Sequence, residues 1–142
     1  MKISRRGEYG LTAILYLASQ PSGKLSVSEE IAGECNIPRN FLAQILARLR
    51  RKGILGSVRG KRGGYYLKAE PAGLSLADVL EALEGPITLI RSIKEDDGKE
   101  ADFLNTRVRG FFSSLQVRGY ALLKSMKISD VVAAPGRDGD GT

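Results

Sequence analysis

The sequence predicts a mainly α fold with one small β-hairpin. Three observations carry this. Apolar residues recur at helical spacing through most of the chain. That spacing gives way only around residues 54–67, where two short β-type runs flank a glycine-rich basic segment. The chain has 142 residues, 42% hydrophobic and 27% charged, which suits one ordinary domain with an appended arm and needs no disulfide or metal staple.

The elements follow in order. Leu11, Ile14, Leu15 and Ala18 stand at i, i+3, i+4 and i+7, so the first helix starts near Ser4 and ends before Pro21. Lys2, Arg5 and Arg6 ahead of this stretch imitate a signal peptide. The apolar run is too short, however, and Glu8 and Thr12 interrupt it, so an amphipathic helix explains it better. No run approaches the roughly 18 apolar residues that span a bilayer. Pro21-Ser22-Gly23 is a turn. Ser26-Val27-Ser28-Glu29 reads as a capping box, with Ser26 as N-cap of a short helix over residues 27–34. Cys35-Asn36-Ile37 breaks that helix, and Pro38 suits the first turn of the next.

This next helix runs to about Lys52, with Gly53 as its stop. Phe41, Leu42, Ile45, Leu46 and Leu49 form its buried stripe; Arg39, Asn40, Gln44, Arg48 and Arg51 face outwards. Two helices about three residues apart have the spacing of a helix-turn-helix. Ile54-Leu55 with Val58, and Tyr65-Tyr66-Leu67, are strand candidates around Arg59-Gly60-Lys61-Arg62-Gly63-Gly64, whose glycines permit positive φ at a hairpin tip. A basic hairpin placed there is a wing, so residues 1–85 are expected to form a winged helix-turn-helix domain. Glu70-Pro71-Ala72-Gly73 links to a helix capped by Ser75 with Leu76, Val79, Leu80 and Leu83 on one face, stopped by Gly85-Pro86.

Residues 86–133 are expected to hold a linker or effector region and a long dimerisation helix. Residues 87–93 are a short apolar segment and residues 95–100 a polar loop expected to be mobile. In the long C-terminal helix, about residues 102–126, Leu104, Val108, Phe111, Leu115, Leu122 and Met126 form a heptad-like seam. So long a helix on so small a domain is expected to pair with a copy of itself, an intramolecular core stripe being the competing explanation. Ser129 could cap a last turn through Val132, and residues 134–142 are expected to be a disordered tail.

Charge sharpens the functional reading. Net charge is +6. Residues 1–70 hold 13 Lys/Arg and 5 Asp/Glu, a net of +8; the remainder nets −2. Between Arg48 and Arg62 stand seven basic residues and no acidic one. Such a half fits a polyanion, and double-stranded DNA fits best. Arg39, Asn40 and Gln44 would face a major groove about 12 Å wide, where Gln and Asn bond adenine edges and Arg bonds guanine. Arg59, Lys61 and Arg62 would reach phosphates or a narrow minor groove. Arg48, Arg51 and Lys52 are candidates for phosphate contact or simply a solvated face.

An enzyme lacks its parts. No His is present, the single Cys35 permits no intrachain disulfide or all-cysteine site, and the wing lacks the Gly-Lys-Ser/Thr ending of a phosphate loop. No catalytic residue, metal site or cofactor is expected. The lone Cys and absence of a secretory pattern favour a cytoplasmic location. Cys35 reads as a small buried residue beside Glu34, which would raise its pKa.

Together these pieces resemble the IscR/NsrR/CymR family of small bacterial winged-helix regulators. The matching segments are Ile3-Ser4-Arg5-Arg6-Gly7-Glu8-Tyr9, residues 41–50, Ser57-Val58-Arg59-Gly60-Lys61-Arg62-Gly63-Gly64-Tyr65, and Leu76-Ala77-Asp78-Val79-Leu80 through Glu84-Gly85-Pro86. The resemblance implies a homodimer on a palindromic operator, usually repressing. It also implies DNA contacts from Asn40, Gln44 and Arg59, and phosphate contacts near Ser4 and Tyr9. Many members carry three cysteines after the segment matching residues 87–93, where they hold an iron–sulfur cluster. This chain has neither Cys nor His there, so the cluster chemistry is not carried over. A small-molecule or protein effector remains open, as does a protein-interaction module that uses the winged helix for docking.

Overall fold

The computed structural model describes residues 3–88 and 103–133, with side chains described from residue 106 in the second stretch. Its elements are α1 (Arg5–Ser19), α2 (Ser28–Cys35), α3 (Arg39–Arg51), β1 (Leu55–Val58), β2 (Gly64–Leu67), α4 (Leu76–Glu84), α5 (Phe103–Ser125) and α6 (Ile128–Ala133). Residues 89–102 and 134–142 lie outside the described residues. So do most of the apolar segment over 87–93, the polar loop, the tail and the Leu104 side chain.

Ser4 caps α1 by accepting the Gly7 N–H, and Gln20 ends the helix ahead of Pro21. The turn between α2 and α3 is only Asn36-Ile37-Pro38. Asn36 adopts the left-handed conformation at φ 54°, which Asn tolerates better than most residues, and the buried Ile37 tucks inward. Leu42, Ile45, Leu46 and Leu49 of α3 are buried as the periodicity requires, with Phe41 half-buried at the rim. They meet Ile14 and Leu17 of α1, Ile31 of α2, Leu55 of β1 and Leu83 of α4 in one core. Truncating any such side chain costs about 2–5 kcal/mol.

Two local expectations are corrected. Ser26 is not an N-cap. Val27 takes the cap position of α2 and makes no side-chain cap bond, while Ser26 bridges to β2, exchanging backbone hydrogen bonds with Tyr65 at 3.0 and 2.7 Å. Its hydroxyl is fully buried without a partner among the described residues. Ser129 likewise lies inside α6; the turn is opened instead by Asp130, which accepts the Lys127 N–H. Ile128 at its start is fully buried in the same core, so α6 closes back on α1.

Helix α4 begins with a complete capping box between Ser75 and Asp78 and buries Ala77, Val79, Leu80, Ala82 and Leu83. It packs on α1, where Gly7 and Gly10 make the approach feasible. A Cβ on Gly10 would lie 2.2 Å from Leu83 Cδ1, and one on Gly7 would meet the Glu84 carboxylate at 2.5 Å. On its other side α4 receives α5. Lys124 pairs with Asp78 at 2.6 Å, and Glu81 beside the Tyr120 hydroxyl holds that phenol above its ordinary range. Helix α5 has 23 residues, about 35 Å of length. Gln116, Tyr120 and Leu123 are partly covered, and Gln116 also donates to the Ile87 carbonyl. About 90° round the helix, Val108, Phe111, Phe112, Leu115, Leu122 and Met126 form a separate apolar face left exposed, with Phe111 at 69% and Leu122 at 62%.

Candidate nucleic-acid interface

The candidate interface is built on α3 because its inner stripe is fixed. With Leu42, Ile45, Leu46 and Leu49 held in the core, geometry alone presents Arg39, Asn40 and Gln44 to solvent. All three are exposed, as are Ala43 between them and Arg51 a turn further on. The structure thus brings together the three side chains expected to face a groove.

Arg48 has a more constrained position. It is half-buried, and its Nε donates to the Ala82 carbonyl of α4 at 2.8 Å. That bond fixes the plane of the guanidinium and ties α3 to α4. Lys52 is exposed at the C-cap, where its backbone N–H closes on Arg48 and Arg50.

The wing follows at once. β1 and β2 pair antiparallel in the register Leu55↔Leu67 through Val58↔Gly64. Arg59, Lys61 and Arg62 stand exposed at its tip. The tip has little freedom to change. Gly64 has φ 151° with the Ser26 backbone about 3 Å from where its Cβ would be, and a Cβ on Gly63 would meet the Val58 carbonyl oxygen at 2.0 Å. The bridge from Ser26 pairs with the other edge of β2 at Tyr65 and pins the wing to the start of α2.

At the start of α1 the surroundings differ from what a phosphate contact at Ser4 would need. The Ser4 hydroxyl and backbone N–H both donate to the Glu84 carboxylate, which brings a negative charge to the helix N-terminus. A phosphate reaching Ser4 has to displace that carboxylate. Tyr9 is half-buried edge-on against Phe41, centroids 5.4 Å apart, and its hydroxyl accepts from Arg5 at 3.4 Å. The sequence alone gives Arg6 no DNA contact, yet it stands beside Gln44 and Arg51. Its partnership with α3 depends on how α1 crosses α3, and no local motif records that.

Cys35 ends α2 and is half-buried. Burial, with Glu34 adding to it, pushes its thiol above the ordinary range. Among the described residues no three His, Cys, Asp or Glu side chains converge where a metal could sit, and none of the helices is long and apolar enough to cross a membrane.

Comparison with known proteins agrees with this geometry. Residues 3–134 match the family model described as "Rrf2: Iron-dependent Transcriptional regulator". The chain is 35% identical over 97 residues to the HTH-type transcriptional regulator CymR of Bacillus subtilis, covering 68% of this chain and 70% of that one. It is 32% identical over 139 residues, 93% of each chain, to an rrf2-like HTH-type regulator of Rhodobacter capsulatus. Among solved structures it is similar to CymR of B. subtilis, with TM-score 0.81, 27% identity and 96% of this chain covering 99% of that one. It is also similar to IscR of T. potens, with TM-score 0.72, 25% identity and coverage of 96% and 94%. The iron in the family description does not fit the donors of this chain. With no His and a single half-buried thiol of raised pKa, an iron–sulfur cluster lacks its ligands. These relatives are transcriptional regulators and not enzymes, and this chain belongs to the Rrf2 family of DNA-binding transcriptional regulators.

Proposed function

We propose that the protein is a cluster-free, homodimeric repressor in the cytoplasm that binds a palindromic operator. One observation carries this most directly: an exposed set of Arg39, Asn40 and Gln44 on a helix locked into the core, followed by a basic wing held at a fixed angle. On this reading Arg39, Asn40 and Gln44 contact base edges in the major groove, and Arg59 enters the minor groove. Arg48, Arg51, Lys52, Lys61, Arg62, Tyr9 and Ser4 contact phosphates, Ser4 only after Glu84 gives way. Residues 1–85 carry the DNA surface and residues 86–133 the pairing element, with room there for a small-molecule or protein effector.

The exposed apolar face of α5 supports pairing with a second copy, because a patch of this kind on a small domain is seldom left in water. Leu104, Val108, Phe111, Leu115, Leu122 and Met126 form that interface. Phe111→Ala with Leu115→Ala should give monomers or unfolded chain in sedimentation. An unchanged dimer would place the interface elsewhere.

The DNA reading is tested by mapping bound sites across the genome. Variants are then titrated with the recovered operator and with a scrambled duplex. Gln44→Ala should cost about 1–3 kcal/mol on the operator and relax preference at one position per half-site. Lys52→Ala should weaken both duplexes about equally. If Gln44→Ala leaves the operator-to-scrambled ratio intact, base reading passes to Arg39 or Asn40. If neither duplex binds, the winged helix serves to dock a protein instead.

A further inference from the structure

A cleft of about 300 Å³ lies between the first turn of α1 and the outward side of α3, lined by Arg6, Gln44, Ala47, Arg48 and Arg51. Among the described residues its lining has three guanidiniums and no carboxylate. The groups arrive from two different helices, Arg6 from α1 and the others from α3. Arg48 is oriented by its bond to the Ala82 carbonyl, and Ala47 leaves the floor low. Arg6 makes no hydrogen bond or ion pair among the described residues; of the acidic groups at this end of α1, Glu8 in the first turn is outside the lining and Glu84 is turned to Ser4. Three like charges crowded in one cleft repel one another until an anion enters. Guanidinium forks match the oxygens of a phosphate in geometry as well as charge.

We propose that this cleft seats a single phosphodiester of the DNA backbone, held by Arg6, Arg48 and Arg51 beside Gln44. The inference rests on the DNA-binding reading above and adds a contact from α1 to it. A phosphate held from both helices fixes the height of α3 over the groove, which sets whether the Gln44 amide reaches a base edge. Arg6 is a positioning residue in this account: it touches the backbone and carries no sequence information itself.

The test uses the full chain, the recovered operator and a scrambled duplex, at several salt concentrations. Arg6→Gln removes the charge at an exposed position, so the fold should survive. Lys68→Gln, an exposed lysine outside the cleft, is the charge-matched control. Arg6→Gln should weaken both duplexes roughly tenfold per lost contact, so about a hundredfold for a symmetric dimer. It should also flatten the slope of log K against log salt by about 0.9 per lost contact, so by about two per symmetric dimer. Lys68→Gln should leave slope and affinity near wild type. Neutral methylphosphonates placed one at a time along the operator should reveal one phosphate per half-site whose neutralisation weakens wild type but not Arg6→Gln.

Unchanged affinity and slope for Arg6→Gln, with wild type still binding, overturns this proposal alone. Wild type that binds neither duplex overturns the DNA reading along with it. A free anion is the other source of the same chemistry. If inorganic phosphate raises the Tm of wild type but not of Arg6→Gln while duplex binding is unaltered, the cleft takes a free phosphate and the backbone assignment falls.

Discussion

Gly10 offers a direct test of how α1 and α4 fit together. In Gly10→Ala the new Cβ would stand 2.2 Å from Leu83 Cδ1 and 3.2 Å from its Cδ2 and Cγ. Leu83 is fully buried, so its side chain has no open space to swing into. Overpacking of this kind costs about 1–3 kcal/mol. Against it stands a gain of up to about 1 kcal/mol from replacing a mid-helix glycine. The expected net effect is a loss of roughly 0.5–2 kcal/mol. Gly33 supplies the internal control, being helical and exposed with nothing within 4 Å of its would-be Cβ. Gly33→Ala should gain about 0.5–1 kcal/mol. Because the propensity gain is common to both, their difference isolates the contact with Leu83.

Circular dichroism during thermal and urea unfolding, at one fixed protein concentration, measures both variants. For a chain of this length 1 kcal/mol corresponds to about 3–5 °C in Tm. Gly10→Ala should therefore melt below wild type and Gly33→Ala slightly above. In a Leu83→Ala background, itself about 2–5 kcal/mol less stable, Gly10→Ala should become stabilising because the added methyl fills vacated space. Equal upward shifts for Gly10→Ala and Gly33→Ala in the wild-type background would show that α4 does not seat on Gly10 and would refute the packing described.

Three further outcomes are expected. Ser26→Ala should be neutral or stabilising by up to about 1 kcal/mol in the same unfolding assay, since it removes a buried hydroxyl with no partner among the described residues; a loss of about 1 kcal/mol would restore the capping role. Burial works to raise the pKa of Asp78, but the bonds from Lys124 and Ser75 outweigh it and hold the carboxyl below the usual aspartate range. Its contribution is thus complete at neutral pH and is lost as pH falls through the depressed value. Asp78→Asn should flatten the acid limb of Tm against pH, and an unchanged limb would remove Asp78 from the account. With its thiol raised by burial and by Glu34, Cys35 should react with iodoacetamide at pH 7.5 more slowly than free cysteine does; a rate at or above that of the free thiol would contradict the burial.

The parts of the fold legible in the sequence are those decided by near neighbours. The α3 stripe, the Ser75–Asp78 box, the glycines of the wing and the stop at Gly85 each declare themselves within a few residues. Ser26 shows where such reasoning fails. Ser-x-x-Glu fits a capping box, but a strand pairing with Tyr65, 39 positions away, claims its backbone and turns its side chain inward. The interface divides the same way. Which face of α3 looks outward follows from its own periodicity. That Arg48 leans on Ala82, that Ser4 is engaged by Glu84 and that Arg6 joins the α3 arginines all depend on packing between distant segments, which leaves no local trace.

The last turn of α4 fastens both α1 and α3. Ala82, Leu83 and Glu84 are consecutive, and each grips a different point: Ala82 holds Arg48 of α3, Leu83 fills the notch at Gly10 of α1, and Glu84 holds Ser4 at the head of α1. The opposite end of α4 is stitched to the α5–α6 junction, where Leu76 N–H donates to the Met126 carbonyl at 2.9 Å and the Ile128 N–H to the Leu74 carbonyl at 2.8 Å. A helix moves as a rod, rising 1.5 Å per residue, and a hydrogen bond does not survive a stretch of that size. A slip of α4 by one residue therefore unfastens all three grips together. The seating of α1 and of α3 thus hangs on the position of one short helix, and the far end of that helix is tied to the α5–α6 junction.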